Sequence, residues 1–350
     1  MSKLLKYDDF LTYDEATGTY SMPADQQVRD EAERNRWKDT GFTILKDWRL
    51  YLMLVPMLVV YILWKYLPMY ELLAAFKDSS MASSSDISQQ AWFGLNNFSN
   101  LFFGTYANDF WPAFRNTFTI AFYNLLFGFP VPIILALFFN EIRSNITRSV
   151  IQVCVYLPKF LSTVVVTSIA LLLVRASSDT TQPGILSQLI SSLGPNNAEL
   201  QSAIKGGLFY SARYFRALYV VTELWEHAGY DSIVFFAAVI AVSPTSYEAA
   251  QIDGAGKMQQ MRYVVIPSIL STVIIMLILK IGGLLSVGYE KIYLLLESGN
   301  NATAQIVATL ANSWGDARGI AADMTNNLIG MILVLGANAV SRKAANVSLY

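Results

Sequence analysis

Residues 243–257 read Ser-Pro-Thr-Ser-Tyr-Glu-Ala-Ala-Gln-Ile-Asp-Gly-Ala-Gly-Lys, and this polar stretch separates two long apolar runs. Ser243 is a favourable helix N-cap, and Pro244 suits the first helical position, where a missing N–H costs nothing. Gly254 tolerates the left-handed backbone that ends many helices. A second helix can start at Lys257 and continue into the following apolar run. The stretch therefore predicts a short helix, a turn and a second helix between two membrane spans.

The apolar runs on either side of this stretch belong to a larger set. Apolar residues make up 54% of the chain and charged residues 15%, and the mean hydropathy is +0.38. A helix needs about 20 mostly apolar residues to cross a bilayer, and hydrocarbon favours helices because they satisfy their own backbone groups. The sequence predicts an all-α integral membrane protein with six transmembrane helices, at about 50–67, 117–139, 150–174, 218–242, 264–287 and 320–340.

Lysine and arginine placement predicts the orientation. With the N-terminus in the cytoplasm, more than half of the 25 basic residues fall on the cytoplasmic side, including those of the short loops 141–149 and 244–263. The protein is then a multi-pass protein of the bacterial cell membrane, and both of its termini lie in the cytoplasm. We expect residues 1–46 to form a cytoplasmic extension and residues 47–350 to form the transmembrane domain.

Several chemistries are disfavoured by composition. The chain has one cysteine, Cys154, and one histidine, His227, so neither an internal disulfide nor a cysteine or histidine metal cage is expected. It contains no phosphate-binding loop of the form Gly-x-x-x-x-Gly-Lys-Ser/Thr, so ATP chemistry would require a separate chain. We expect no bound cofactor or metal, no nucleic-acid partner and no cleavable signal peptide.

The loop also resembles a known family. Glu248-Ala249-Ala250, then Gly254, then Val264-Val265-Ile266-Pro267 at the family's spacing looks like the EAA motif of type I ABC importer permeases, the MalF/MalG type. The runs 48–52, 127–137 and 156–161 are similar to those of LplB-like polysaccharide permeases. This resemblance implies a sugar permease that forms half of a translocation path and is not itself an enzyme.

The resemblance implies further components. The EAA loop would be a coupling helix that docks on a cytoplasmic ATPase, present in two copies that bind ATP and Mg. It also implies a second related permease and an extracellular solute-binding lipoprotein that delivers an oligosaccharide or polysaccharide fragment. The coupling residues expected from it are Tyr247, Glu248, Ala249, Ala250, Asp253 and Gly254.

Polar residues inside the spans are candidates for the substrate path, because ionisable groups in a membrane usually face a cavity or a partner. Lys280 and Glu226 are expected to line the cavity, and Gly229 to interrupt the fourth helix. For Lys159 and Lys280, a helix-packing ion pair or a snorkelling side chain is the open alternative. If these lysines contact the substrate instead, they favour an anionic sugar. The full candidate set is Lys159, Glu223, Trp225, Glu226, Lys280, Tyr289 and Glu290.

Two other functions remain open from the residues alone. An ion-coupled secondary transporter would leave the loop around Glu248 unexplained, and such transporters often carry internal repeats, which this chain lacks. A membrane-embedded enzyme needs an acid–base or metal constellation, and one histidine and one cysteine disfavour it.

Overall fold

A computed structural model describes residues 12–14, 19–21, 48–78, 87, 90–176, 182–193 and 198–345. The chain divides into two compact units, Met1–Glu71 and Leu72–Tyr350. The described part is mostly helical, as predicted. It also contains one feature that hydropathy did not predict, an antiparallel pair of three-residue strands, β1 (Thr12–Asp14) and β2 (Thr19–Ser21).

The helices alternate between long apolar elements and short polar ones. We number them α1 to α16 in chain order. Their bounds are α1 Trp48–Tyr61, α2 Asn96–Phe102, α3 Ala107–Gly128, α4 Pro130–Glu141, α5 Asn145–Tyr156, α6 Thr163–Leu173, α7 Ile185–Leu193, α8 Ala198–Gly206, α9 Phe215–Ile240, α10 Pro244–Ile252, α11 Lys257–Gln260, α12 Ile266–Gly282, α13 Tyr289–Leu295, α14 Asn301–Ala304, α15 Val307–Trp314 and α16 Ala317–Ala345.

Within the described residues, four continuous helical stretches are long and apolar enough to cross a membrane: Trp48–Phe76, Ala107–Glu141, Lys257–Gly282 and Ala317–Lys343. Two bent pairs bring the number to six if each pair counts as one span. They are Asn145–Phe160 with Thr163–Leu173, bent by 103°, and Phe215–Ile240 with Pro244–Ile252, bent by 67°. The chain is thus a multi-pass membrane protein, and the boundaries of the six spans stay a prediction.

Helix α9 is central to the second unit and packs against α3, α4, α5 and α12. The largest buried apolar cluster surrounds its N-terminal half, around Phe215 and Tyr219. A second cluster joins α2, α3, α15 and α16. A third, smaller cluster of Val239, Val265 and Ile269 lies where α9 meets α12, next to the loop of residues 243–257. This loop therefore rests on a packed junction of two membrane helices.

The fifth apolar run ends earlier as a helix than hydropathy predicts. Helix α12 stops at Gly282, and residues 283–288 are non-helical before α13 begins. The polar segment that follows is ordered by side chains of α3. Asn116 donates two hydrogen bonds of 3.0 Å to the carbonyls of Ala302 and Gln305, and the N–H of Val307 donates to Thr117 Oγ1 at 2.9 Å.

Candidate functional site

The helix and turn predicted for residues 243–257 form, but Ser243 stands at the N-cap position without a capping bond from its side chain, and its hydroxyl contacts Thr245 Oγ1 at 2.7 Å instead. Pro244 occupies the first turn of α10, and Gly254 has φ +76°, in the left-handed region. The N–H of Gly254 donates to the carbonyl of Gln251 at 3.0 Å, and that of Ala255 donates to Ala250 at 2.9 Å. This pair of bonds is the Schellman motif, in which a left-handed residue reverses the chain after a helix. Gly254 therefore sets the angle between α10 and α11.

Helix α10 is free of intramolecular cover on most of its surface. None of its residues is buried, and Glu248 and Ala249 are exposed. Asp253 and Gly254, which follow it, are exposed as well. Apolar side chains near the turn are also exposed: Ile252 at 86%, Met258 at 74% and Tyr263 at 68%. The loop thus presents small residues, two carboxylates and a few large apolar groups on one accessible segment.

Two contacts hold this loop to the membrane helices. Tyr247 turns inward and packs against the cluster formed by Val239, Val265 and Ile269. The ammonium group of Lys257 forms an ion pair with the carboxylate of Glu141 at the end of α4. The loop is therefore linked to α4 through Lys257 and to the junction of α9 and α12 through Tyr247.

A second candidate site lies inside the helix bundle and is built around Lys291. Its ammonium nitrogen lies 2.7 Å from Glu223 Oε2 and 2.5 Å from Glu226 Oε2. The side chains of Lys291 and Glu226 are only 3% and 5% exposed. Ionised groups at this depth are stable only when they are paired, because burial removes their hydration. Lys291 thereby joins α13 to α9.

His227 follows these carboxylates on α9 and contacts a second lysine. Lys159, in the turn 157–160 after α5, places its ammonium nitrogen 2.7 Å from His227 Nε2. An ammonium group can only donate a hydrogen bond, so Nε2 accepts and the imidazole proton lies on Nδ1. Nδ1 lies 3.3 Å from the Glu223 carbonyl oxygen. His227 is therefore neutral in this arrangement.

Lys280 and Asp231 form the third pair of the site. The ammonium nitrogen of Lys280 lies 2.7 Å from Asp231 Oδ2, and 44% of the lysine side chain is exposed. Both residues line a cavity of about 150 Å³, together with Glu223 and His227. The non-helical residues Gly283, Ser286 and Gly288 contribute backbone and hydroxyl groups to the same wall.

The charges of this site balance. Three ammonium groups face three carboxylates, and with His227 neutral the sum is zero. The members are Lys159, Lys280, Lys291, Glu223, Glu226 and Asp231.

The other residues predicted for the substrate path do not line the cavity. Glu223 rather than Glu226 lines the cavity, since Glu226 is buried beneath Lys291. Trp225 is 46% exposed and is not among the described residues that line the cavity. Tyr289 begins α13 and stacks on Tyr293 at 5.7 Å between ring centroids, and Glu290 beside it is exposed.

The expected interruption of the fourth helix at Gly229 is wrong. Helix α9 runs unbroken from Phe215 to Ile240. A Cβ atom at position 229 would lie 2.2 Å from the carbonyl oxygen of Val155, so the glycine is there to let α5 approach α9 closely. The packing of two helices, rather than backbone freedom, explains this residue.

Sequence reasoning missed Lys291 and gave Asp231 no partner. Hydropathy placed Lys291 in an outer loop, because it lies beyond the fifth apolar run. One signal was available: the fourth run carries three acidic residues, whereas Lys159 and Lys280 supply two positive charges within the spans. Three acids and two lysines leave one negative charge, so a further cation was needed to balance the charge within the membrane.

Glu223, Glu226 and His227 also have the spacing of a metal site. Their ligand atoms lie within 4.8 Å of one another, which could hold a metal ion. Lys291 already contacts both carboxylates and supplies positive charge at this position. The arrangement therefore does not require a metal to be stable.

Comparison with known proteins identifies the family of this chain. Residues 128–289 match the family described as binding-protein-dependent transport system inner membrane component. Protein LplB of Bacillus subtilis (strain 168) is 35% identical over 310 residues, which cover 87% of this chain and 92% of LplB. The polygalacturonan/rhamnogalacturonan transport system permease protein YteP of the same organism is 34% identical and covers 86% of this chain and 90% of its own length.

A solved structure shows the same fold. It is a bacterial alginate ABC transporter in complex with an alginate pentasaccharide-bound periplasmic protein. One of its chains is 32% identical to this chain, with a TM-score of 0.74, and the match covers 89% of this chain and 99% of that one. The chain therefore belongs to the family of binding-protein-dependent transport system inner membrane components, and it is a permease subunit of an ABC importer rather than an enzyme.

Proposed function

We propose that this chain forms half of the translocation path for an acidic oligosaccharide, delivered by an extracellular solute-binding lipoprotein. Among its relatives, one is named for polygalacturonan and rhamnogalacturonan transport, and the solved importer carries alginate, an acidic polysaccharide. The observation on which we base the acidic preference is the environment of Lys159.

Lys159 is a cation with a neutral partner. Within the described ranges it has no carboxylate oxygen within 4.0 Å, whereas Lys280 and Lys291 each have one or two. Its contact is the imidazole of His227, which carries no charge in this geometry. A carboxylate of the substrate would complete this ion pair, and charge-assisted hydrogen bonds are among the stronger polar contacts in proteins.

The cavity beside His227 suits sugar hydroxyl groups. Glu223 and Asp231 offer hydrogen-bond acceptors to the cavity. Lys280 is the most exposed of the three lysines of the site. Asp231 forms the ion pair with Lys280 in the absence of substrate. A substrate carboxylate then replaces Asp231 in this pair. Trp225 and Glu226 on α9, and Tyr289 and Glu290 at the start of α13, remain proposed members of the path.

We also propose that α10 is the coupling helix. In this proposal Tyr247, Glu248, Ala249, Ala250, Asp253 and Gly254 contact a separate ATPase, present in two copies that bind ATP and Mg. The exposure of α10 and of Ile252 supports docking by another chain, and the Lys257–Glu141 ion pair provides the mechanical link. A second related permease completes the path.

This arrangement requires a defined topology. We propose that the N-terminal extension 1–46, the loop 243–257 and both termini lie in the cytoplasm, and that residues 47–350 form the permease domain. The excess of lysine and arginine on that side supports this orientation.

Uptake into proteoliposomes tests the proposed substrate. The assembled importer with its binding protein should take up a uronate oligosaccharide faster than a neutral oligosaccharide of equal length. Lys159→Gln should lower uptake of the uronate about tenfold, since a hydrogen bond to a charged group contributes about 1.5–3 kcal/mol. Lys159→Arg should keep most of the uptake, because it keeps the charge.

The matched control is Lys205→Gln, which removes an exposed lysine from α8 and should leave uptake unchanged. Equal uptake of neutral and acidic sugars, or full uronate uptake by Lys159→Gln, would refute the acidic preference.

A further inference from the structure

Helix α7 has an unusual distribution of polarity. Its apolar side chains point outward: Ile185 is 74% exposed, Leu189 50% and Leu193 79%. Ser187, in contrast, is fully buried. In a water-soluble surface the apolar side of a helix faces the core. The medium outside α7 is therefore apolar.

The inward side of α7 is held by polar contacts. Gln201 of α8 donates a hydrogen bond of 3.1 Å from Nε2 to Ser191 Oγ. Ile190 packs against the main apolar cluster from the same side. These contacts keep the helix from turning its leucines inward.

The polar residues at the edge of the outward face each donate one hydrogen bond within their own segment. Gln188 donates from Nε2 to the carbonyl of Pro183 at 2.9 Å, and Ser192 Oγ donates to the carbonyl of Leu189 at 2.9 Å. The helix contains no charged residue. These bonds lower the cost of placing the two side chains beside an apolar medium.

The start of α7 is fixed at the end of an apolar membrane helix. The N–H of Gly184 donates to the carbonyl of Arg175 at 3.1 Å, and a Cβ at position 184 would lie 2.3 Å from the carbonyl oxygen of Leu173. Leu173 is the last residue of α6, whose exposed residues are the apolar Val164, Val165, Leu172 and Leu173 and one serine, Ser168. The start of α7 is thus joined to a helix with a mostly apolar exposed surface.

Arg175 lies just after the end of α6, close to the start of α7. It is exposed, its guanidinium donates to the carbonyl of Gln182 at 3.0 Å, and it borders an apolar groove of about 400 Å³. Phe209 and Tyr210 line the same groove. Arginine and tyrosine are typical of the boundary between hydrocarbon and water, where their polar ends reach the headgroups.

We propose that α7 is an interfacial helix that lies in the bilayer surface at the C-terminal end of α6, with Ile185, Leu189 and Leu193 on lipid acyl chains. Arg175 contacts the phosphate of a lipid headgroup beside it. Continuity with α6, the lack of charge on α7 and the position of Arg175 favour lipid over a protein partner.

Spin labelling tests this proposal on the assembled importer in vesicles of phosphatidylethanolamine and phosphatidylglycerol. Because Cys154 is the only cysteine of this chain, Cys154→Ser assembled with cysteine-free partner subunits provides a background for single labels. Nitroxides at Leu189→Cys and Leu193→Cys report on the outward face. A nitroxide at Ser202→Cys, an exposed polar position on α8, is the control.

The measured quantity is the ratio of collision rates with oxygen, which is enriched in lipid, and with a water-soluble nickel chelate. This ratio should be several-fold higher at positions 189 and 193 than at 202. A ratio equal to that at 202 would mean that the face is in water. Low collision rates with both reagents would mean that protein, such as the second permease, covers it; either result would overturn the proposal.

Discussion

The ammonium nitrogen of Lys291 lies 2.5 Å from Glu226 Oε2, and both side chains are almost completely buried. This contact joins α13, which follows a non-helical stretch, to the centre of α9. Since Glu223 shares the same ammonium group, one lysine compensates two carboxylates. The position of α13 beside the cavity depends on this cluster.

Lys291→Met should therefore destabilise the permease. Breaking a buried ion pair from one side leaves uncompensated charge, which costs about 3–5 kcal/mol. The expected result is a clearly lower melting midpoint of the purified importer, and Lys205→Met, at an exposed position, should leave the midpoint unchanged. Adding Glu223→Gln and Glu226→Gln to Lys291→Met should recover much of the loss. A melting midpoint for Lys291→Met equal to that of the wild type would contradict the role of the cluster.

Gly229→Ala should loosen the contact between α9 and α5. The added Cβ would lie 2.2 Å from a backbone oxygen, which cannot move like a side chain, and overpacking of this kind costs about 1–3 kcal/mol. Gly336→Ala is the matched control, since this glycine of α16 has nothing within 4 Å of the added atom. The melting midpoint should fall for position 229 and stay equal or rise for position 336. The opposite order would refute the close-approach explanation.

Gly254→Pro should uncouple ATP hydrolysis from uptake while the permease remains inserted. Proline fixes φ near −65°, whereas Gly254 has φ +76°, and proline also removes the N–H that donates to Gln251. Gly256→Ala is the control, because Gly256 has φ −68° and room for a Cβ. Sugar uptake and ATPase activity are measured on the same proteoliposomes. Uptake at the wild-type rate in Gly254→Pro would rule out the coupling role of this turn.

Lys280→Ala should lower uptake without lowering the yield of assembled importer. Lys280 pairs with Asp231 at the cavity, and 44% of its side chain is exposed. Loss of this exposed ion pair therefore affects the translocation path more than the stability of the permease. Lys280→Arg keeps the charge and should retain part of the uptake. Transport assays and co-purification of the subunits give the two readouts. Unchanged uptake by Lys280→Ala would remove Lys280 from the path.

Local patterns were sufficient for the loop of residues 243–257. A proline in the first turn and a glycine at the left-handed position act through neighbouring backbone atoms, so the sequence predicts them directly. The capping bond expected from the Ser243 side chain does not form. Hydropathy was equally informative about which segments enter the membrane, because burial in lipid depends on each segment's own composition. It was less informative about where helices end, as the stop of α12 at Gly282 shows.

The sequence by itself determined that this chain is a helical membrane permease. It also determined that the loop of residues 243–257 contains a short helix, which ends just before Gly254. The tertiary structure alone decided that Lys291 pairs with Glu223, 68 residues away, and that Gly229 serves the approach of α5 rather than a break in α9. The physical reason is range: propensity and hydropathy act within one segment, whereas the partner of a buried charge depends on how separate helices pack.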